Sequence, residues 1–148
     1  MKKIISGGQT GVDRIGLEVA RELGFATGGT APKGFRTENG PDPSLRDFGL
    51  VEHESTNYEP RTIQNILDAD GTVILGNVES AGSWFTRRQC VRLKKPYSVN
   101  PTVDQLVQFV HDHAIITLNV AGNRASGMTS AGMEYVRNIL QLALQRLR

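Results

Sequence analysis

Residues 3–23 read KIISGGQTGVDRIGLEVAREL, and this stretch decides the fold. Residues 3–6 are typical of a short buried strand, residues 7–11 of a sharp turn, and the apolar residues of 12–23 recur at helical spacing. Gly24 ends the predicted helix. A strand, a glycine turn and a helix in this order point backbone N–H groups and the positive end of a helix dipole at one place. The stretch therefore predicts an anion or phosphate site.

The turn differs from two familiar nucleotide-binding signatures. Ser6 stands where the first glycine of G-x-G-x-x-G would be, and no Gly-Lys-Ser/Thr follows as in a P-loop. The acidic residue that would hold a ribose about 20 residues further on is absent, because residues 27–33 read TGGTAPK. A plain dinucleotide site is therefore disfavoured. The alternative without a ligand is that the glycines only permit a tight turn between strand and helix.

Composition limits the classes of protein that fit. The chain has 148 residues, a formal net charge of +2 and a single cysteine, Cys90. The size favours one domain, and the near-balanced charge argues against nucleic acid as a partner. One cysteine allows no disulfide within the chain, which fits a reducing cytoplasm. No signal peptide and no apolar run of about 20 residues are apparent, so we expect a cytoplasmic protein without a membrane partner.

Predicted strands and helices alternate along the chain. Strands are predicted at 3–6, 25–30, 51–54, 71–76, 97–99 and 114–120, and helices at 12–23, 61–69, 84–95, 103–113 and 129–147. Residues 31–48 are predicted to be a long loop, and Cys90 a small buried helix residue. This alternation predicts an α/β fold: a three-layer αβα sandwich with a mostly parallel sheet, as a single domain over residues 1–148.

Three polar, glycine-containing turns follow predicted strands. They are residues 7–11, 76–83 and 121–127. Because ligands of such sheets bind at the carboxyl ends of the strands, the three turns predict a single small-molecule site.

Five stretches have the form of family motifs: ISGGQTGVDR (5–14), GGTAPKGFRTENG (28–40), YEPRTIQN (58–65), DGTVIL (70–75) and LNVAGNR (118–124). Together they resemble the molybdenum cofactor carrier family, a branch of the Rossmann-like proteins that include the "lonely guy" enzymes. The resemblance implies a Rossmann-like protein that binds the molybdenum cofactor or a similar anionic phosphorylated pterin, or molybdate or another oxoanion. Its role would be to protect the ligand and hand it over to molybdenum-enzyme recipients without catalysis.

The chain departs from its relatives in two places. Residues 81–83 read AGS where the family usually has Gly-Gly-Thr, and the bulky Trp84 follows. The Pro-Gly-Gly-x-Gly-Thr-x-x-Glu motif of the phosphoribohydrolase relatives is also missing, since Arg87 and Arg88 stand in that region. The alternative, an enzyme acting on a nucleoside monophosphate or a related phosphorylated metabolite, remains open but lacks that glutamate.

A carrier of this kind needs a backbone cradle for an oxyanion, cations to pair with it and amides for the pterin edge. The candidate ligand-binding residues are Gly7, Gly8, Gln9, Thr10, Gly11, Lys33, Gly34, Arg36, Asn39, Arg61, Gly82, Ser83, Asn119 and Asn123. Arg124 is a further cation and Asn65 a further amide of this kind. No catalytic residue and no metal ligand is predicted. A bulky residue at Gly8 is expected to abolish binding while leaving the fold largely intact.

Other readings of the same residues remain open. Lys33, Arg36 and Arg14 could simply be solvated, and Arg87 and Arg88 are expected on a solvated helix face. Arg61 near a helix start is unfavourable to the helix dipole, which suggests a salt bridge to Asp13 or Asp70. The apolar stripe of the last helix predicts a homo-oligomer, a dimer or tetramer.

Overall fold

A computed structural model describes residues 1–148. Its strands are β1 (Lys3–Ile5), β2 (Ala26–Ala31), β3 (Arg36–Thr37), β4 (Gly40–Pro41), β5 (Leu50–Glu52), β6 (Gly71–Leu75), β7 (Tyr97–Val99) and β8 (Thr117–Gly122). Its helices are α1 (Val12–Glu22), α2 (Tyr58–Asp68), α3 (Ala81–Arg92), α4 (Val103–Asp112) and α5 (Ser130–Leu147).

Six strands form one sheet in the order β5-β2-β1-β8-β6-β7, and every neighbouring pair is parallel. α1, α4 and α5 pack together on one face, and α2 and α3 pack together on the other. The predicted three-layer α/β fold with a parallel sheet is confirmed. The sequence alone did not establish the strand order, in which the last strand lies beside the first.

The placement of β8 between β1 and β6 creates the point where the strand order reverses. Ile4 is in register with Leu118, and Val73 of β6 with Val120. The chain leaves β1 towards one edge of the sheet and later returns to the other half. The turn after β1 therefore lies next to the loops that follow β6 and β8, which is where ligands of parallel sheets bind.

The segment 31–48, predicted to be a long loop, is locally structured. It contains two 3₁₀ helices, Lys33–Phe35 and Pro43–Phe48, and the antiparallel hairpin β3–β4. A small second core anchors it, made of Leu17, Ala31, Phe35, Leu45, Phe48 and Leu50. The prediction of a long loop missed these elements, because they are too brief to show a hydrophobic period.

Three elements begin three residues away from their predicted start. α3 begins at Ala81 rather than 84, because the Ser80 side chain accepts a hydrogen bond from the Ser83 N–H and caps the helix. α2 begins at Tyr58, so that Pro60 lies in its first turn. β8 begins at Thr117 rather than 114, because the Ile115 N–H still bonds to the Val110 carbonyl at the end of α4.

None of the five helices combines the length and apolar composition that a membrane-spanning helix needs.

Candidate functional site

A cleft of about 830 Å³ lies at the carboxyl ends of β1, β6 and β8. It is lined by Gln9 and Asp13, by residues at the start of α2, by most of residues 80–88 at the start of α3, and by most of residues 121–127. Its volume falls in the range of roughly 300–1,000 Å³ that small-molecule sites occupy. Residues from all three turns that the sequence singled out thus border one cleft.

The backbone N–H groups of the first turn are bound within the chain. The N–H of Gly8 donates to Ser6 Oγ (3.3 Å), that of Gln9 to Asp13 Oδ2 (3.3 Å), and that of Thr10 to Gln9 Oε1 (3.0 Å). The Asp13 carboxylate brings a negative charge to the turn and accepts one of these bonds. These three amides are therefore not free to bind a ligand, and a ligand at this end of the cleft would contact side chains instead.

Asp13 and Arg61 form a loose ion pair beneath the cleft. Arg61 Nη1 lies 4.0 Å from Asp13 Oδ2, and the two side chains are 14% and 5% exposed. Burial raises the pKa of Asp13 to about 6, against the opposing effects of the Arg61 charge and the N–H groups of Gln9 and Gly7. Of the two partners suggested for Arg61 by the sequence, Asp13 is the one in contact.

The Arg61 guanidinium lies directly on the backbone of Gly7. A Cβ atom at Gly7 would stand 2.5 Å from Arg61 Nη1 and 2.7 Å from Cζ. Arg61 Nη1 donates to Thr62 Oγ1 at 2.9 Å, but the buried Nε of Arg61 has no hydrogen-bond partner. The absence of a side chain at Gly7 is what allows Arg61 to lie here.

Gln9 presents a second unpartnered donor. Its Oε1 accepts from the N–H groups of Thr10 (3.0 Å) and Glu38 (2.9 Å), which fixes the orientation of the amide. Its Nε2 is buried and has no partner, and Gln9 lines the cleft. Since an unpaired buried donor is costly, this nitrogen is suited to an acceptor atom of a ligand.

Glu38, at the tip of the β3–β4 hairpin, ties the hairpin to two of the turns. Its carboxylate accepts hydrogen bonds from Thr10 Oγ1, from the Ser126 N–H (3.2 Å) and from Ser126 Oγ. These bonds lower the pKa of Glu38. Sequence reasoning did not single it out as a site residue, although it lies inside the motif of residues 28–40.

Three arginines surround the ring of Tyr58. Their Cζ atoms lie 4.7 Å (Arg36), 5.6 Å (Arg61) and 5.5 Å (Arg124) from the ring centroid. Arg61, Arg124 and Tyr58 line the cleft. Arg36 is exposed, and its Nη1 donates to the Thr56 carbonyl at 3.0 Å.

Trp84 and Arg88 line the opposite, α3 side of the cleft. They are four residues apart and so share a helix face. Arg88 is exposed, as expected of a solvated helix face, and it also borders the cleft.

Several predicted site residues lie away from the cleft. Lys33 is exposed in a 3₁₀ helix, the Gly34 N–H donates to Glu52 Oε1 (2.6 Å), and Asn39 is exposed at the hairpin tip. Asn119 is buried in β8, where its Nδ2 donates to Thr72 Oγ1 (3.3 Å). None of these four lines the cleft.

The remaining predicted residues are held by other contacts, and only some of them line the cleft. Asn123 lines it, yet its amide bonds to the backbone of Asn77 and to Ser80 Oγ. Gly82 lines it, while the buried Ser83 Oγ has no partner and does not border it. Gly11 packs against the backbone of Asn123, and Gly8 faces Leu45 and Leu50.

No group of three or more His, Cys, Asp or Glu side chains is placed to hold a metal ion. Cys90 is fully buried in α3, as predicted, and burial raises the pKa of its thiol.

Comparison with known proteins gives one family and one solved structure. A family model described as the circularly permutated YpsA SLOG family matches residues 4–144. The crystal structure of a protein named "Putative molybdenum carrier protein", from Syntrophus aciditrophicus SB, superimposes with a TM-score of 0.83 at 31% identity. That similarity covers 98% of this chain and 93% of the other. A search of curated proteins finds no match.

Proposed function

The chain belongs to the circularly permutated YpsA SLOG family, and from this premise we propose that it binds a small anionic ligand in the cleft. The observation that carries the proposal is that two residues lining the cleft, Gln9 and Arg61, each hold a buried N–H donor without a partner, at Gln9 Nε2 and Arg61 Nε. Both would gain a partner from an oxygen of a bound anion, and such charge-assisted hydrogen bonds are the stronger ones. Arg88 and Arg124 add positive charge to the same wall.

The ligand that we propose is the molybdenum cofactor, with molybdate or another oxoanion as a simpler form. The similar crystal structure carries the name of a molybdenum carrier. The residues fit such a ligand: arginines suit oxyanion and phosphate oxygens, the Gln9 amide suits a ring acceptor, and the Tyr58 and Trp84 rings suit a flat pterin. Because no cluster of metal-ligating side chains is present, the protein would recognise the ligand's oxygens and ring atoms. Binding followed by hand-over to a molybdenum enzyme needs no nucleophile.

A second candidate is an enzyme acting on a nucleoside monophosphate or a related phosphorylated metabolite. Asp13 favours it, because a cleft carboxyl with a pKa of about 6 can hold or release a proton near neutral pH. The same arginines would pair with the phosphate of such a substrate. Turnover of the ligand, in contrast to binding alone, separates this candidate from the carrier.

We also propose a homo-oligomer. Tyr135 and Leu142 are exposed on α5, 59% and 53% respectively, and are two helical turns apart on one face. Light scattering of the purified chain tests this separately from ligand binding.

The test of binding uses Trp84, which is the only tryptophan and lines the cleft. Its fluorescence should change saturably when molybdenum cofactor is added anaerobically, and the same titration is run with molybdate, tungstate and nucleoside monophosphates. Chromatography of each ligand afterwards detects turnover. The absence of a saturable change with every anion, checked by calorimetry, would overturn the proposal.

Gly7→Ala sharpens the test, because the added methyl group displaces the Arg61 guanidinium and leaves the turn otherwise unchanged. We expect binding about tenfold weaker, the loss of roughly one charge-assisted hydrogen bond. Two further variants serve as matched controls: Arg61→Gln alone, and Arg61→Gln combined with Gly7→Ala. If Gly7 acts through Arg61, the double variant should bind no more weakly than Arg61→Gln.

A further inference from the structure

We propose that Arg36, Arg61 and Arg124, held around Tyr58, form a subsite for a tetrahedral dianion, such as the phosphate monoester end of a larger ligand or a free molybdate ion. Tyr58 is the positioning residue of this subsite. The inference rests on the proposed function, since it assigns the place in the cleft where the anionic group is held.

The three guanidinium groups come from separate parts of the chain. Arg36 belongs to β3, Arg61 to α2 and Arg124 to the segment after β8. Each Cζ atom lies within 5.6 Å of the centroid of the same ring. An aromatic face attracts a cation electrostatically, so the ring gathers three charges that would otherwise repel one another.

The charge of this cluster is largely uncompensated. Arg36 and Arg124 take part in none of the six salt bridges of the protein, and Arg61 is paired only with Asp13, at 4.0 Å. The charge of Arg124 acts on the carboxylate of Glu38, but the oxygens of that carboxylate already accept bonds from Thr10 and Ser126. A dianion would supply the missing charge.

The number and type of cations point to a tetrahedral dianion rather than a carboxylate. One guanidinium satisfies a planar carboxylate through two parallel hydrogen bonds, whereas a phosphate group exposes three terminal oxygens and carries up to two charges. The unpartnered Arg61 Nε lies beside this ring and adds a fixed donor. Arg88 lies on the α3 side of the cleft and is left for another part of the ligand.

The test measures binding of three probes by calorimetry and Trp84 fluorescence: inorganic phosphate, molybdate, and a nucleoside monophosphate compared with its dephosphorylated nucleoside. Arg36→Gln and Arg124→Gln should each weaken binding of the phosphorylated probe or of molybdate at least tenfold. The matched control is Arg46→Gln, because Arg46 also lies over an aromatic ring, but that ring is Phe35, at 5.0 Å, and not Tyr58. It removes the same charge and should leave affinity unchanged.

Tyr58 has its own pair of variants. Tyr58→Leu removes the ring and should weaken binding of the same probe. Tyr58→Phe keeps the ring and should bind the probe as tightly as the wild type does. Thermal unfolding of both variants shows whether each is folded. Equal losses in both variants would transfer the role to the hydroxyl group and overturn the positioning role of the ring.

The remaining outcomes separate this inference from the proposed function. If the wild-type chain binds an anion and the Arg36 and Arg124 variants bind it equally well, the subsite is wrong and the proposed function stands. An equal loss in Arg46→Gln would mean a general field effect and also overturns the subsite. If the wild-type chain binds no anion, both are overturned. Preference for the phosphorylated probe over molybdate identifies a phosphate monoester, and the reverse preference identifies a free oxoanion.

Discussion

Arg61 Nη1 and Asp13 Oδ2 lie 4.0 Å apart in the lining of the cleft. This ion pair is loose enough that burial has the larger effect on the pKa of Asp13. The pKa of Asp13 is raised to about 6, because burial outweighs the Arg61 charge and the backbone N–H groups around it. A charge that changes close to neutral pH therefore lies under the cleft. Both stability and anion binding should respond to it.

The first prediction concerns stability against pH. The pKa of Asp13 rises from 3.8 to about 6 on folding, so the folded chain holds this proton more tightly. The contribution of the Asp13 proton to the free energy of unfolding is fully present below pH 3.8 and is lost as the pH rises through about 6. The loss is on the order of 3 kcal/mol. Urea unfolding of the wild type and of Asp13→Asn should show that the wild type loses stability relative to the variant across this window.

Arg61→Gln is the companion variant for that measurement. Removing the guanidinium removes the largest of the effects that lower the pKa of Asp13, so the fall in stability should extend to higher pH. A difference between wild type and Asp13→Asn that stays constant over the window would contradict the assignment of Asp13.

The second prediction compares two glycines with similar backbones. Gly8 and Gly24 have φ angles of +75° and +84°, so an alanine meets the same backbone strain at both, about 1–2 kcal/mol. At Gly8 the new Cβ would also stand 2.7 Å from Leu45 Cδ1 and 2.8 Å from Leu50 Cδ2, whereas at Gly24 it meets nothing within 4 Å. Urea unfolding should show Gly8→Ala to be less stable than Gly24→Ala by about 1–3 kcal/mol.

This comparison corrects an expectation from the sequence. A bulky residue at Gly8 was expected to abolish binding and spare the fold, but Gly8 faces the small core under residues 31–48. Gly7 is the position where a methyl group acts on the cleft. Equal stability of the two alanine variants would show that the Leu45 and Leu50 side chains move aside without cost.

The layers of the fold could be predicted because each long element has a clear pattern. All five residues of β6 are buried, as its apolar run indicates, and α1 buries the residues that recur at helical spacing. The resemblance to the molybdenum carrier family is confirmed by the family model that matches residues 4–144 and by the similar crystal structure. The hydrophobic patterns and the family motifs each lie within one continuous stretch of sequence, which is why they could be recognised without the structure.

The cleft was less predictable because its contacts join distant parts of the chain. Glu38 reaches Ser126, which is 88 residues away, and nothing in either local sequence indicates this bond. Arg88 borders the cleft together with residues of α2 and of the segment after β8, and no local pattern indicates this meeting of distant segments. In the first turn, the Gln9 N–H is bonded to Asp13, whose carboxylate could equally have been an exposed first-turn charge.

The third prediction concerns Asn65, an amide that the sequence made a candidate for a ligand. Its Oδ1 accepts from the Thr30 N–H (2.8 Å) and its Nδ2 donates to the Thr30 carbonyl (2.9 Å), with the residue 1% exposed. Asn65→Ala leaves two buried backbone groups without partners, at about 1–3 kcal/mol each. Denaturant unfolding should show this loss, while ligand affinity of the folded variant stays unchanged.

Asn39→Ala is the control for that experiment, because Asn39 is exposed and its side chain makes no hydrogen bond. It should change stability by no more than about 0.5 kcal/mol. A loss of affinity in folded Asn65→Ala would return this amide to the ligand-binding set.

The fourth prediction concerns the hairpin held by Glu38. Its backbone N–H fixes Gln9 Oε1, and its carboxylate accepts the Ser126 N–H. Glu38→Ala should therefore speed hydrogen exchange of the Ser126 amide and weaken anion binding, because the loosened hairpin no longer holds its backbone N–H on Gln9 Oε1. Thr37→Ser, which keeps the neighbouring hydroxyl bonded to the Gly40 carbonyl, is the matched control in the same hairpin.

The same amide also reports the ionisation of Glu38. Hydrogen bonds from Ser126 and Thr10 lower the pKa of this carboxyl below 4.5. The contribution of the ionised carboxylate to stability is therefore present above pH 4.5 and is lost as the pH falls through the lowered pKa. Protection of the Ser126 amide, corrected for the intrinsic exchange rate, should thus persist somewhat below pH 4.5. Exchange at Ser126 that is equally fast in the wild type and in Glu38→Ala would mean that the carboxylate does not hold the hairpin.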